Sequence, residues 1–192
     1  MIKKLLFRIK GNFQNIGASW DKLAPDMEAA IDFGHEHINP EPERMIDVHH
    51  YSMEYCLAHS GESINERFRQ DRPDKIDLQI AAMVENHSTD TDLVLYRGIC
   101  GHVLELMQDN AKDKPDCDLF EKGFLCCSLV KGREINSEIK LRIYVPAGTK
   151  CVYQGNVNDE QGYYEVDVMH GAKLKIESID SEYINCRLLE TA

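Results

Sequence analysis

The spacing of apolar residues changes about halfway along the chain. In the first half, apolar positions recur near helical spacing: Trp20, Leu23, Met27, Ala30, Ile31 and Phe33, with Pro25 as an early interruption. The run INPEPER, Ile38 to Arg44, is rich in proline and acid and predicts a break. A further helix is predicted over Met45 to Ala58, ended by SGES, and INERFRQ opens the next. Asp74 is placed to cap a helix carrying Ile76, Ile80, Met83 and Val84. The second half reads as strands. DLVLYRGI, KGFLCCSLV, IKLRIYVP, TKCVYQG, YYEVDVMHG, AKLKIESID and YINCRLLE follow one another, with HVLELMQ as one short helix among them and Gly155, Gly162 and Gly171 as turn points.

Helices first and strands afterwards predict an α+β domain, with N-terminal helices packed on a mixed, mostly antiparallel sheet. At 192 residues, one domain is the expectation, and 43% hydrophobic content is enough for a core. The net charge is −11, from 33 acidic and 22 basic residues. Such a surface repels nucleic-acid backbones and anionic membranes. The basic residues Lys3, Lys4, Arg8 and Lys10 form too thin a cluster to reverse this. A protein partner is therefore expected ahead of a nucleic acid, and no membrane partner is expected. The seven cysteines are odd in number and hold no CxxC pair, so free thiols and a cytoplasmic setting are expected. No apolar run approaches the length of a membrane span or of a signal-peptide core.

Three stretches carry candidate chemistry. In LVLYRGIC an arginine, Arg97, ends an apolar strand and is followed by Gly98. A buried guanidinium must be paired with a core carboxylate or kept for an anion, and a glycine beside it lets a ligand approach the backbone. In KGFLCCSLV the small residues Cys126, Cys127 and Ser128 sit between large apolar ones. In YYEVDVMHG the acids Glu165 and Asp167 share one strand face, because side chains alternate with period two. Taken singly, such acids read as solvated residues of an edge strand. The histidines of HEH (His35, His37) and HH (His49, His50) lack zinc-site spacing, so no metal is expected.

In this order and spacing, the three stretches resemble the ADP-ribosyltransferase family. The branch is the Arg-Ser-Glu one, which includes clostridial binary toxins and Rho-modifying exoenzymes. Tyr96-Arg97-Gly98 resembles its first motif. Gly123-Phe124-Leu125 leading into Cys126-Cys127-Ser128 resembles its glycine–phenylalanine run into a Ser-Thr-Ser triplet. Tyr163-Tyr164-Glu165 resembles the loop that ends in the catalytic glutamate, followed by an apolar strand. IYVPAGTKCVYQG resembles the lead-in to that loop, and SINERFR the helix before the arginine strand.

The resemblance covers about residues 50 to 180, with residues 1 to 45 as a helical extension of one ADP-ribosyltransferase-like domain. It implies NAD+ as co-substrate and transfer of ADP-ribose to a macromolecule, with protein favoured. Glu165 would stabilise the oxocarbenium-like ribose, Arg97 would hold NAD+, and the Gly98 backbone would face nicotinamide. Cys126 would take the orienting place of the first serine, and Ser128 is retained from the triplet. Arg133 is a candidate for the diphosphate. Arg69 either reaches the phosphates or pairs with an acid, and pairing is favoured. Tyr163 stands where the family carries an acceptor-directing Glu or Gln, with Glu160 and Gln161 in the same loop as substitutes. The cysteines and Tyr163 depart from the family pattern. They leave open an NAD+ glycohydrolase, or a non-catalytic module binding a nucleotide or partner on the same fold.

Overall fold

In the computed structural model, residues 16–39, 64–155 and 162–192 are described. The helix expected over Met45 to Ala58 and the loop residues Glu160 and Gln161 lie outside them. Helix α1 (Ile16–Trp20) runs into a 3-10 turn, Asp21–Leu23, and α2 spans Ala30–His37. Pro25 sits in the gap between them, as a residue that cannot continue a helix should. A helical stretch over 64–69 precedes α3 (Lys75–Glu85). The start of α3 is fixed by a reciprocal cap. Asp74 accepts from the N–H groups of Ile76 and Asp77, and the Asp77 carboxylate accepts from the Asp74 N–H. Arg67 clamps Asp77 through Nε and Nη2 at 2.6 and 2.5 Å, which ties the preceding helical stretch to this cap.

The strands are β1 (Leu93–Ile99), β2 (Leu119–Glu121), β3 (Leu125–Ser128), β4 (Ile139–Val145), β5 (Cys151–Gly155), β6 (Glu165–Val168), β7 (Ala172–Ile179) and β8 (Ile184–Glu190). Helix α4 (Gly101–Ala111) follows β1. The strands join in one eight-stranded order, β2-β7-β8-β4-β1-β3-β6-β5, antiparallel except for β4 beside β8. The expected mostly antiparallel α+β fold is therefore found. One strand was not foreseen: β2 is only three residues long, LFE, too short to show an alternating pattern.

Alternation along β1 divides the core. Leu93, Leu95 and Ile99 bury with Leu141, Ile143 and Val145 of β4, and with Leu104 and Met107 of α4. Val94 and Tyr96 bury with Trp20 and Tyr183. A separate cluster packs the 64–69 stretch and α3 over Phe124, Val152 and Met169, through Ile64, Phe68, Ile80 and Val84. That cluster seats the helices beside the first residues of β3, where the candidate chemistry begins.

Candidate active site

Two strand pairings build the site. β3 pairs with β6 in antiparallel register, Cys126 against Asp167 and Ser128 against Glu165. On the other side, β5 pairs Val152 with Asp167 and Gly155 with Glu165, with a register shift between Tyr153 and Gly155. β6 is thus an interior strand, not an edge strand. The acids, which taken singly read as solvated, are therefore drawn inward: Glu165 is half-buried, and Asp167 is 0% exposed. The Cys126 thiol and the two carboxylates offer ligand atoms that all lie within 4.8 Å of one another.

Burial pushes the carboxyls of both Glu165 and Asp167 above their ordinary range, and for Glu165 the adjacent Asp167 charge adds to the effect. Two like charges this close cannot both ionise in a dry setting, so the pair retains a proton. Burial, followed by the charges of Asp167 and Glu165, also raises the Cys126 thiol well above its usual value. Cys127 is pushed up to about 12, mainly by burial. Both cysteines are thiols, not thiolates, at neutral pH.

Helical residues hold the start of β3. The Asn65 side-chain oxygen accepts from the Phe124 N–H at 2.7 Å, and its amide nitrogen lies 3.7 Å from the Cys126 sulfur. Gly123 makes this possible, since a Cβ there would sit 2.5 Å from the Asn65 oxygen. At the other end of β3 the Ser128 hydroxyl donates to the Val130 carbonyl and accepts from the Val130 N–H. Ser128 therefore closes the strand end. Cys126 is the triplet residue that meets the carboxylates. The approach to Glu165 is shaped by Tyr164, which adopts φ +50°, a conformation that costs a non-glycine residue on the order of 1 kcal/mol. Its carbonyl accepts from the Leu129 N–H at 2.9 Å, which pins the loop to the end of β3 immediately before Glu165. Tyr163, one residue earlier, is half-buried.

Arg97 is 8% exposed. Its Nη1 donates to the carbonyls of Phe124 and Cys126 at 3.4 and 3.1 Å, and its Nη2 reaches Glu121 at 3.4 Å. Its buried Nε has no partner. Glu121 also accepts two hydrogen bonds from Arg69, at 3.0 and 2.7 Å, and one from the Gly123 N–H at 3.0 Å. The expected pairing of Arg69 with an acid is thus found, and the acid is shared with Arg97. Glu121 was missed in the sequence because it lies on the three-residue β2. Its position two residues before Gly123, in the run that leads into the triplet, was the available signal.

Other candidates sit elsewhere. Gly98 packs against the 131–138 loop, so closely that a Cβ would fall 1.8 Å from the Ile135 carbonyl oxygen. Arg133 is exposed and donates to the Met27 sulfur.

A model of the ADP-ribosyltransferase exoenzyme family matches residues 49–189. The chain belongs to that family. Its members use NAD+ as the donor of ADP-ribose, and this chain is classed with them as an enzyme. Plx2a, an ADP-ribosyltransferase toxin from Paenibacillus larvae, superimposes with a TM-score of 0.63 at 16% identity, over 85% of this chain and 96% of its own. The Clostridium limosum C3 exoenzyme gives 0.63 at 15%, covering 85% and 95%. C3stau2 from S. aureus, solved with NAD, gives 0.61 at 17%, covering 86% and 96%. At such identities these likenesses establish a shared fold. No curated protein matches the chain in sequence. Among the described residues, no helix is long and apolar enough to cross a membrane.

Proposed function

We propose that the chain is a mono-ADP-ribosyltransferase that moves ADP-ribose from NAD+ to a protein acceptor, with Glu165 as the catalytic carboxylate. The observation that carries this reading is the β3–β6 register, which gathers Cys126, Glu165 and Asp167 beside the strand held by Arg97. Breaking the ribose–nicotinamide bond leaves positive charge on the ribose, and a fixed carboxylate stabilises it most where water is excluded. Of the two carboxyls, the half-buried Glu165 is the one a ligand can reach. The two carboxyls share one proton, and the remaining charge reaches the ribose through Glu165.

The Cys126 thiol lies beside this pair and positions it in place of a serine hydroxyl, with the weaker hydrogen bonding of sulfur. Ser128 supports the site by closing β3. Arg97, whose Nη donors meet the Phe124 and Cys126 carbonyls and Glu121, is read as the group that holds NAD+. Arg69 acts through Glu121 to hold Arg97. Tyr163, with Glu160 and Gln161 of the same loop, faces the choice of acceptor. The catalytic core is about residues 50 to 180, with the first 45 as an extension.

The test is nicotinamide release from NAD+ in chelator-containing buffer, with and without cell lysate. Release that requires lysate supports transfer to a macromolecule. Release without lysate assigns NAD+ hydrolysis or self-modification instead, and none in either case overturns the enzymatic reading. Glu165→Gln keeps the shape and removes the charge. It is expected to lower release by about 10²–10³-fold, as loss of a preorganised electrostatic partner does. Unchanged release in that variant refutes the role of Glu165.

A further inference from the structure

Asp167 poses a problem that the transferase reading leaves unsolved. It is completely buried, and neither carboxylate oxygen receives a well-formed hydrogen bond from a protein N–H or O–H donor; its neighbours are Cys126, Glu165 and Gln154. Gln154, beside it on β5, is 6% exposed, and both of its amide atoms also lack partners. A buried polar group without a good partner destabilises the fold, and a charged one does so more. Asp167 and Gln154 line the same small region as Cys126 and Glu165, so the unsatisfied polar atoms converge on one place.

The geometry points to an inhibitory binding site for a thiophilic divalent cation such as zinc, held by Cys126, Glu165 and Asp167, with the Gln154 amide oxygen beside them. The ligand chemistry selects the ion. One sulfur and two carboxylates suit zinc, whereas magnesium and calcium demand six or more oxygens and are poor partners for a thiol. Around a tetrahedral zinc with bonds of about 2.0 Å to oxygen and 2.3 Å to sulfur, neighbouring ligand atoms stand roughly 3.3–3.5 Å apart. The observed trio lies within 4.8 Å, so metal binding requires side-chain rotation to close the remainder. Two of the ligands are strand partners across β3 and β6 and need no backbone movement to meet. Binding releases the Cys126 thiol proton and the proton shared by the carboxyls. Metal and proton thus compete for one cage. The expectation of no metal came from the spacing of the histidines, whereas this cluster is one thiol and two carboxyls. Inhibition is the one part that rests on the catalytic reading of Glu165, since a coordinated carboxylate is unavailable to the ribose.

The experiment is calorimetric titration of chelator-treated protein with zinc, followed by cobalt substitution. One zinc per chain is expected, together with a thiolate-to-cobalt charge-transfer absorption. Cys126→Ser and Asp167→Asn should each weaken zinc binding at least tenfold, and Cys126→Ser should remove the charge-transfer band. Circular dichroism establishes that each variant is folded, and the half-buried Cys126 position decides the outcome if Asp167→Asn is not. Absence of uptake at micromolar zinc overturns the proposal, as does uptake unchanged in Cys126→Ser, which would place the metal on other residues. In the release assay, zinc should inhibit at the concentration that fills the site, and chelator should restore activity. If the metal-free protein releases no nicotinamide, the catalytic reading fails while the titration still decides the metal site.

Discussion

Glu121→Gln tests whether the two arginines beside the site are held by one buried charge. Glu121 is 1% exposed and accepts from Arg69 twice, from Arg97 and from the Gly123 N–H. Glutamine preserves the shape and one acceptor oxygen, but turns an amide N–H₂ toward a guanidinium and removes the countercharge. Removing one partner of a buried ion pair costs about 3–5 kcal/mol, because the remaining charge stays buried. With total stability of about 5–15 kcal/mol for a domain, that is a large fraction. The contrasting case is Lys122 with Asp71, where Asp71 is 73% exposed and Asp71→Asn should cost less than about 1 kcal/mol. Urea unfolding followed by circular dichroism measures both.

The acid limb gives an independent readout. Burial pushes the Glu121 carboxyl up, but the Arg69 hydrogen bond and the charges of Arg97 and Arg69 outweigh it, and the net shift is downward. A folded-state value below the unfolded one contributes stability above the ordinary glutamate range, and that stability is lost as pH falls through the folded value. Glu121→Gln should therefore flatten the acid limb. A cost below 1 kcal/mol with an unchanged acid limb refutes the shared-charge account.

Two further variants probe the surroundings. Gly98→Ala places a methyl 1.8 Å from the Ile135 carbonyl oxygen and 3.1 Å from the Ser137 Cβ. It should cost about 1–3 kcal/mol in urea unfolding and expose the 131–138 loop to protease, as overpacking against backbone does. Wild-type behaviour in both assays would show that the loop is not seated on Gly98. Asp180→Asn tests a second ion-pair cluster, the one around Arg142. Burial raises the Asp180 carboxyl, but N–H donation from Glu182 and Tyr183 and the Arg142 and Asn185 contacts pull it from 3.8 to about 2. Its stabilisation is complete above about pH 4 and lost as pH falls through 2, and for a group 31% exposed it amounts to about 1–2 kcal/mol. An acid-unfolding midpoint unchanged by Asp180→Asn would refute that contribution.

Long strands and capped helices were legible in the sequence because their signals are local. Asp74 and Asp77 sit at cap spacing, and β1, β4, β7 and β8 have enough residues to show their period. The 3-10 turn after Trp20 does not stand out in the sequence, since Leu23 keeps the helical spacing up to the interruption at Pro25. β2 escaped because three residues cannot reveal an alternation, and Glu121 escaped with it.

The site was legible in a different way. The family resemblance placed Arg97, Cys126 and Glu165, and a family model covers the stretch that contains them. Local spacing also showed that Glu165 and Asp167 share a face, but not which strands would flank that face. Strand neighbours are long-range facts: β6 pairs with β3 and β5, and this turns two surface acids into a buried pair. The same pairing sets Asp167 opposite Cys126. The serine-to-cysteine departure from the family pattern and the fully buried acid of β6 therefore face each other across a single register position. Either change alone reads as a weakened active site. Side by side, a thiol and an unsatisfied carboxylate make a different chemical object, whose occupant, proton or metal, decides whether Glu165 is free to meet the ribose.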